Sequence, residues 1–180
     1  ALEGSRNIRE HLATACAATG CAVDAIDRIF VDVGPGGLGA TRTTAAFANA
    51  LGYARGIPVI GLNAFELIGH HVARETERMV ICIRHAARPN FYVGVYRDNA
   101  LAEFLFLERD AVRDRVERHR DDAVFAGKFN LGADAEDIPV PVANGASMAS
   151  FLEVALEHAD ASASSTRVYP VTEDLGVAHG

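Results

Sequence analysis

Gly34, Gly36, Gly37 and Gly39 follow the apolar run Arg28-Ile29-Phe30-Val31-Asp32-Val33 and open a helix of small residues. A glycine turn between strand and helix is an arrangement that can cradle a phosphate, because glycine permits positive φ and the first N–H groups of the helix have no intrahelical acceptor. The run satisfies G-x-G-x-x-G at Gly34, Gly36 and Gly39, and it also outlines a Walker A loop with Thr41 nearby. A Walker loop requires a lysine directly after its last glycine, where this chain has Ala40. A dinucleotide site requires an acidic residue about 20 positions further on, at the end of the next strand. Here Val59-Ile60-Gly61-Leu62 leads instead into Asn63-Ala64. Taken alone, these residues favour a tight strand-to-helix turn whose glycines serve close packing.

Other groups capable of chemistry lack partners. Gly145-Ala146-Ser147-Met148-Ala149 is a near miss to G-x-S-x-G, with His158 downstream, but the preceding Pro139-Val140-Pro141-Val142 carries two prolines and makes a poor mid-sheet strand. Ser147 therefore reads as part of a helix start. His11, His85, His119 and His179 have no partner at metal-ligand spacing, and His70-His71 are adjacent rather than one turn apart. Cys16, Cys21 and Cys82 are odd in number and lack C-x-x-C spacing, so they read as reduced, packed thiols.

The 180 residues, 49% hydrophobic and 23% charged, fit one globular unit, with room for two lobes. No apolar run approaches the roughly 20 residues of a membrane helix, and the chain start has neither a basic n-region nor an apolar h-region. A cytoplasmic protein is expected. The net charge of −7, with Lys128 the single lysine, makes a poor nucleic-acid binder of the chain by itself.

Apolar periodicity predicts a helix over 5–19, capped by Ser5 and stopped by Gly20, then a strand over 28–33, a helix over 41–55, a strand over 59–62 and a helix over 64–75. This alternation implies an α/β lobe with a partly parallel sheet. Three β-rich runs follow at 79–84, 90–97 and 100–107, the last two joined by the hairpin pair Asp98-Asn99. A charged helix over 109–120, a short strand over 123–126, a connection over 131–141 and a helix over 146–159 complete the order. A small-residue linker, 162–165, leads to a tail that is mobile or docked elsewhere.

The helix after the glycine turn carries little bulk. Ala45, Ala46, Ala48, Asn49, Ala50 and Gly52 leave Phe47, Leu51 and Tyr53 as its large side chains. Small residues on two faces permit close approach on two sides, one to its own sheet and the other to a helix surface that includes Ala13 and Ala17. Together Ala13, Ala17, Ala46, Ala50 and Tyr53 would form a flat surface for a partner's helices; the competing reading places them inside the domain.

The run Val33-Gly34-Pro35-Gly36-Gly37-Leu38-Gly39-Ala40-Thr41-Arg42, the alanine-rich helix, and then Gly56-Ile57-Pro58-Val59-Ile60-Gly61-Leu62-Asn63-Ala64-Phe65-Glu66 resemble the TsaB (YeaZ) family. In that family an apolar strand is followed by GPGSFTGLR or GPGSFTGVR, a small-residue helix and IPxxGVSSLE. Ile8 and Leu12 in the first helix, the approach Val23-Asp24-Ala25-Ile26-Asp27, Tyr92 and Val168-Tyr169 match in order and spacing. Gly37-Leu38-Gly39-Ala40 stands where S-F-T-G is usual, and His85-Ala86-Ala87-Arg88-Pro89-Asn90-Phe91-Tyr92 replaces D-A-R-x-G-E-V-Y, losing its two acids.

The resemblance implies an α/β, actin-like (ASKHA, RNase H-like) fold of two lobes, with residues 1–77 in the first, 78–165 in the second and smaller, and 166–180 as a tail. It implies a non-catalytic scaffold that binds a TsaD-like catalytic subunit and, with a TsaE-like ATPase, supports threonylcarbamoyl transfer to adenosine in tRNA. The chain alone is expected to be a homodimer that meets tRNA only through the complex, with no cofactor, no metal and no membrane association. The family opens with a β-hairpin bearing a DTS-type phosphate loop, so the first strands are expected to be missing from this chain and one sheet edge unpaired. Gly34, Pro35, Gly36, Gly37, Gly39, Thr41 and Arg42 form the possible nucleotide-proximal loop. TsaD itself carries H-x-x-x-H after the equivalent of Pro58; those positions fall on Ala64 and Ile68, which offer no donor atoms. The alternative from another class is an enzyme, either a nucleotide-dependent ATPase or a glycoprotease-like hydrolase of the M22 type.

Overall fold

In a computed structural model the described residues are 7–131, 141–159 and 167–172. Helix α1 (Ile8–Thr19) starts at Asn7, whose side chain accepts from the Glu10 N–H at 3.3 Å, and ends at Gly20 in the left-handed conformation. The cap is therefore Asn7, not Ser5, which lies outside the described residues. No residue of α1 is buried.

Strand β1 (Ile29–Asp32) pairs in parallel with β2 (Val59–Leu62), Ile29 opposite Val59 through Asp32 opposite Leu62. Alternation along these short strands sends their side chains to two different layers. Val31, Val33 and Val59 pack with Ala45 and Ala48 of α2 (Leu38–Arg55), while Phe30, Ile60 and Leu62 pack with Val154 and Ala155 of the last helix. Gly52 lets α2 lie close on β2, since a Cβ there would overlap the Val59 side chain.

Helix α3 (Ala64–Thr76) is capped by Asn63, whose side chain accepts from the Phe65 N–H at 2.8 Å. It sets Phe65, Ile68 and Val72 against a second sheet of order β5-β4-β3-β6. Strands β3 (Met79–His85), β4 (Phe91–Arg97) and β5 (Ala100–Leu107) are antiparallel neighbours, and β6 (Ala123–Lys128) runs parallel to β3. Asp98 and Asn99 both take positive φ, 52° and 59°, the requirement of a two-residue hairpin that matches strand twist. The opposite face of this sheet carries Ile81, Ile83, Phe91 and Val93 against Val112 and Val116 of α4 (Arg109–Arg118).

Helix α5 (Met148–Glu157) is capped by Ser147, which accepts from the Ser150 N–H at 3.1 Å. Although it follows the second sheet in sequence, it packs beside α3 on the first, burying Val154 and Ala155 with Leu62 and Leu67. Its contacts with α3 include His70 to Glu153 at 3.0 Å, His71 to Ser150 at 3.1 Å and His158 to Glu66 at 2.9 Å. Residues 142–143 run beside β6 with two backbone bonds, so the proline-bearing stretch ends as an irregular edge partner. The segment 167–172 is docked: Asn49 brackets Val168 with side-chain bonds of 2.7 and 2.8 Å, and the Val171 N–H donates to the Val33 carbonyl at 2.8 Å. The linker at 162–165 lies outside the described residues, as does most of the 131–141 connection. Cys82 is buried, and burial pushes its thiol up to about 12, but Cys21 is exposed and Cys16 half-exposed, so only Cys82 is a packed thiol.

Candidate functional site

The glycine turn is built by hydrogen bonds from three other elements. Gly34 takes φ 93°, a conformation that side-chain-bearing residues rarely adopt, and its N–H donates to Asp32 Oδ1 at 2.7 Å. Its carbonyl accepts from the Ala64 N–H at 2.7 Å, which ties the turn to the start of α3. From the second sheet, Arg84 donates to the Pro35 carbonyl at 2.8 Å and to the Asn144 carbonyl at 3.0 Å. One guanidinium thus joins the turn, β3 and the approach to α5. Sequence reasoning did not single out Arg84, because its signal is a contact across 49 residues that no local pattern records.

The glycines divide into two kinds. A Cβ on Gly34 would stand 3.0 Å from the Gly36 nitrogen, and one on Gly36 would stand 3.1 Å from Arg84 Nη1 and 3.4 Å from the Thr41 methyl. Gly37 and Gly39 meet nothing within 4 Å. Close packing therefore accounts for Gly34 and Gly36 and not for Gly37 and Gly39. Helix α2 begins at Leu38 rather than Thr41, so Gly39, Thr41 and Arg42 belong to its first turns, and Thr41 bonds back to the Gly37 carbonyl at 3.0 Å. Gly39→Ala is expected to raise stability by about 0.5–1 kcal/mol, because an exposed helical glycine is replaced by the best helix former. Gly34→Ala should lower it by about 1–3 kcal/mol through strain at positive φ. Calorimetric melting of the two variants checks both signs.

Behind the turn, Asp32, Ala64, Ile68, Arg84 and Ser147 line a cavity of about 130 Å³. Desolvation raises the Asp32 carboxyl above its ordinary value, against the opposing pull of the Gly34 N–H and the Arg84 charge. Ala64 and Ile68, where the catalytic relatives are expected to hold a metal, bring only hydrocarbon to this space. Among the described residues no group of three metal-ligating side chains converges. Ser147, as the cap of α5, has a hydroxyl 2.9 Å from that of Ser150. Asn63, where a dinucleotide fold would place an acid, is spent on capping α3.

The second group of sequence-derived residues lies on α1 and α2. Ala45, Ala48 and Gly52 of α2 are buried against the first sheet, while Ala46 and Ala50 are exposed on another face and Tyr53 is 85% exposed. Ala13 and Ala17 are exposed on α1. The five residues thus lie outside the core. Near the start of both helices, Ile8, Gly39, Ala40, Thr43 and Thr44 line an open groove of about 540 Å³.

A family model described as TsaD, tRNA N6-adenosine threonylcarbamoyltransferase, matches residues 3–112, and the chain belongs to that family. No curated protein matches the chain. Among solved structures, a Pseudomonas aeruginosa protein described as uncharacterized with similarity to peptidase YeaZ shares 21% identity, covering 93% of this chain and 83% of its own, with a TM-score of 0.72. YeaZ from Pseudomonas aeruginosa shares 20% identity, covering 95% of this chain and 85% of its own, with a TM-score of 0.69. The two-sheet α/β architecture is therefore the YeaZ fold, of the actin-like type expected from the sequence.

Proposed function

We propose that this member of the threonylcarbamoyltransferase family serves tRNA modification as a TsaB-like, non-catalytic scaffold that binds a TsaD-like catalytic subunit. The observation that carries the reading is the 130 Å³ cavity behind the glycine turn, where Ala64 and Ile68 put hydrocarbon in place of the expected metal-binding histidines. With no lysine after the glycine turn, Ala64 and Ile68 at the two expected histidine positions and Asn63 occupied as a cap, the site has fixed geometry but lacks the lysine and the histidine pair on which phosphoryl or metal-assisted chemistry would rest. What the chain offers instead is an exposed helical face of small residues with one large aromatic, Tyr53, suited to close packing of helices from another subunit. The same face would support a homodimer in the absence of the catalytic subunit, and a TsaE-like ATPase would join the assembled pair. No helix among the described residues is long and apolar enough to cross a membrane, and the proposed setting is cytoplasmic.

Size-exclusion chromatography with light scattering of the chain mixed with the TsaD-type subunit of its own genome tests the reading. A stoichiometric complex is the expected result; two separately eluting proteins would contradict it. The lone chain should bring no stoichiometric zinc through purification. At physiological salt it should not retard tRNA in a gel, since a net charge of −7 gives phosphate contacts no electrostatic support until a more basic partner is added. A tight gel shift by the chain alone would overturn this second expectation.

A further inference from the structure

Between the edge stretch 142–143 and the cap of α5 the chain passes through Asn144-Gly145, the one place in the sequence where glycine follows asparagine. The other asparagines precede Ile, Ala, Phe or Leu, and Asn7, Asn49 and Asn63 are spent on the α1 cap, the Val168 backbone and the α3 cap. Asn144 and Gly145 are both exposed and lie outside helix and strand. Among the described residues neither the Asn144 side-chain amide nor the Gly145 N–H has a hydrogen-bond partner. One group of the pair is held: the Asn144 carbonyl accepts from Arg84 Nη2 at 3.0 Å. We propose that Asn144 is a self-modification site, at which the Gly145 nitrogen expels the side-chain amide as ammonia and Arg84 steers the product to isoaspartate.

In the first step the Gly145 nitrogen attacks Asn144 Cγ. The new N–Cγ bond forms as Cγ–Nδ2 breaks, and ammonia leaves with the proton of the Gly145 N–H. The resulting succinimide has two carbonyls, Cγ and the former main-chain carbonyl of Asn144. Water then adds to one of them, the bond from that carbon to nitrogen breaks, and the nitrogen takes a proton from the water. Water is the only reagent consumed. The attack requires a backbone free to bring nitrogen onto Cγ and a nitrogen that no side chain shields. A Cβ on Gly145 would meet nothing within 4 Å, so this side of the pair is open. In the second step Arg84 distinguishes the two carbonyls. It donates to the main-chain oxygen, and a donor placed where charge develops as water adds stabilises that path. Opening there leaves the chain running through Cγ and frees the former main-chain carbonyl as a carboxylate, so the oxygen Arg84 already holds becomes the acceptor of a charge-assisted bond. The same guanidinium holds the Pro35 carbonyl at 2.8 Å, so the lengthened backbone enters at the junction of the glycine turn, the second sheet and α5. The modification is independent of partner recognition.

Incubation of the full chain at physiological temperature and mildly alkaline pH, followed by peptide mapping with mass spectrometry, tests the proposal. Asn144 should convert to isoaspartate and aspartate while the other asparagines stay intact, and anion exchange should resolve a form with one more negative charge. Gly145→Ala should convert at least about tenfold more slowly, because the added methyl shields the nitrogen. Its melting temperature should be unaltered, since that methyl enters open space. The chain unfolded in urea is the reference for steering, because Arg84 is not held there. The native chain should give an isoaspartate-to-aspartate ratio at least about twofold higher than the unfolded one. An intact Asn144, equal conversion of wild type and Gly145→Ala, or the same product ratio from native and unfolded chain would overturn the proposal.

Discussion

Ala50→Arg is expected to leave a folded monomer that neither self-associates nor binds the TsaD-like subunit. Ala50 is exposed on α2, so an arginine there meets water in the free chain and costs the fold little. In a helix-against-helix interface with backbones about 8 Å apart, the same side chain both displaces contact and carries a charge that must be desolvated without a partner. The expected loss is at least about 100-fold in affinity, and in an isologous dimer the insult counts from both protomers. Ala17→Arg on α1 should act in the same direction. Light scattering reads the outcome: variants that remain dimeric would move the interface elsewhere, and variants that unfold would show that these positions support the core.

Gly69→Ala should destabilise the protein by about 1–3 kcal/mol, and by more if the sheet cannot give way. Gly69 is buried in α3, and a Cβ there would overlap the Tyr96 ring, whose backbone is held in β4 between β3 and β5. Helix propensity pulls the other way by about 1 kcal/mol, so the sign of the measured change decides between local propensity and tertiary packing. Chemical denaturation with an unchanged m-value and a lower midpoint is the expected pattern.

Much of this arrangement was legible in the sequence, and the exceptions have physical causes. Strand β2 and the start of α3 are marked locally by Pro58 before the strand and Asn63 after it, and both fall where the pattern places them. The start of α2 is misread by three residues because Gly39 and Ala40 look like loop, whereas the open N–H groups of a first helical turn tolerate glycine when nothing packs against it. Arg84 could not be found, since an arginine at the end of a strand has no local feature that announces two carbonyl acceptors in other elements. The return of α5 to the first sheet and the bracketing of Val168 by Asn49 are likewise tertiary facts. The exposed small face of α2 is intermediate: spacing identified two faces, and only packing shows that Ala45, Ala48 and Gly52 belong to the buried one.

The scaffold reading meets its most direct test in reconstituted synthesis of threonylcarbamoyladenosine on tRNA, using the cognate TsaD-type and TsaE-type subunits with and without this chain. The account predicts no modified nucleoside from the chain alone and efficient synthesis only when it joins the other two. Full synthesis in its absence, or modification by the chain on its own, would contradict it.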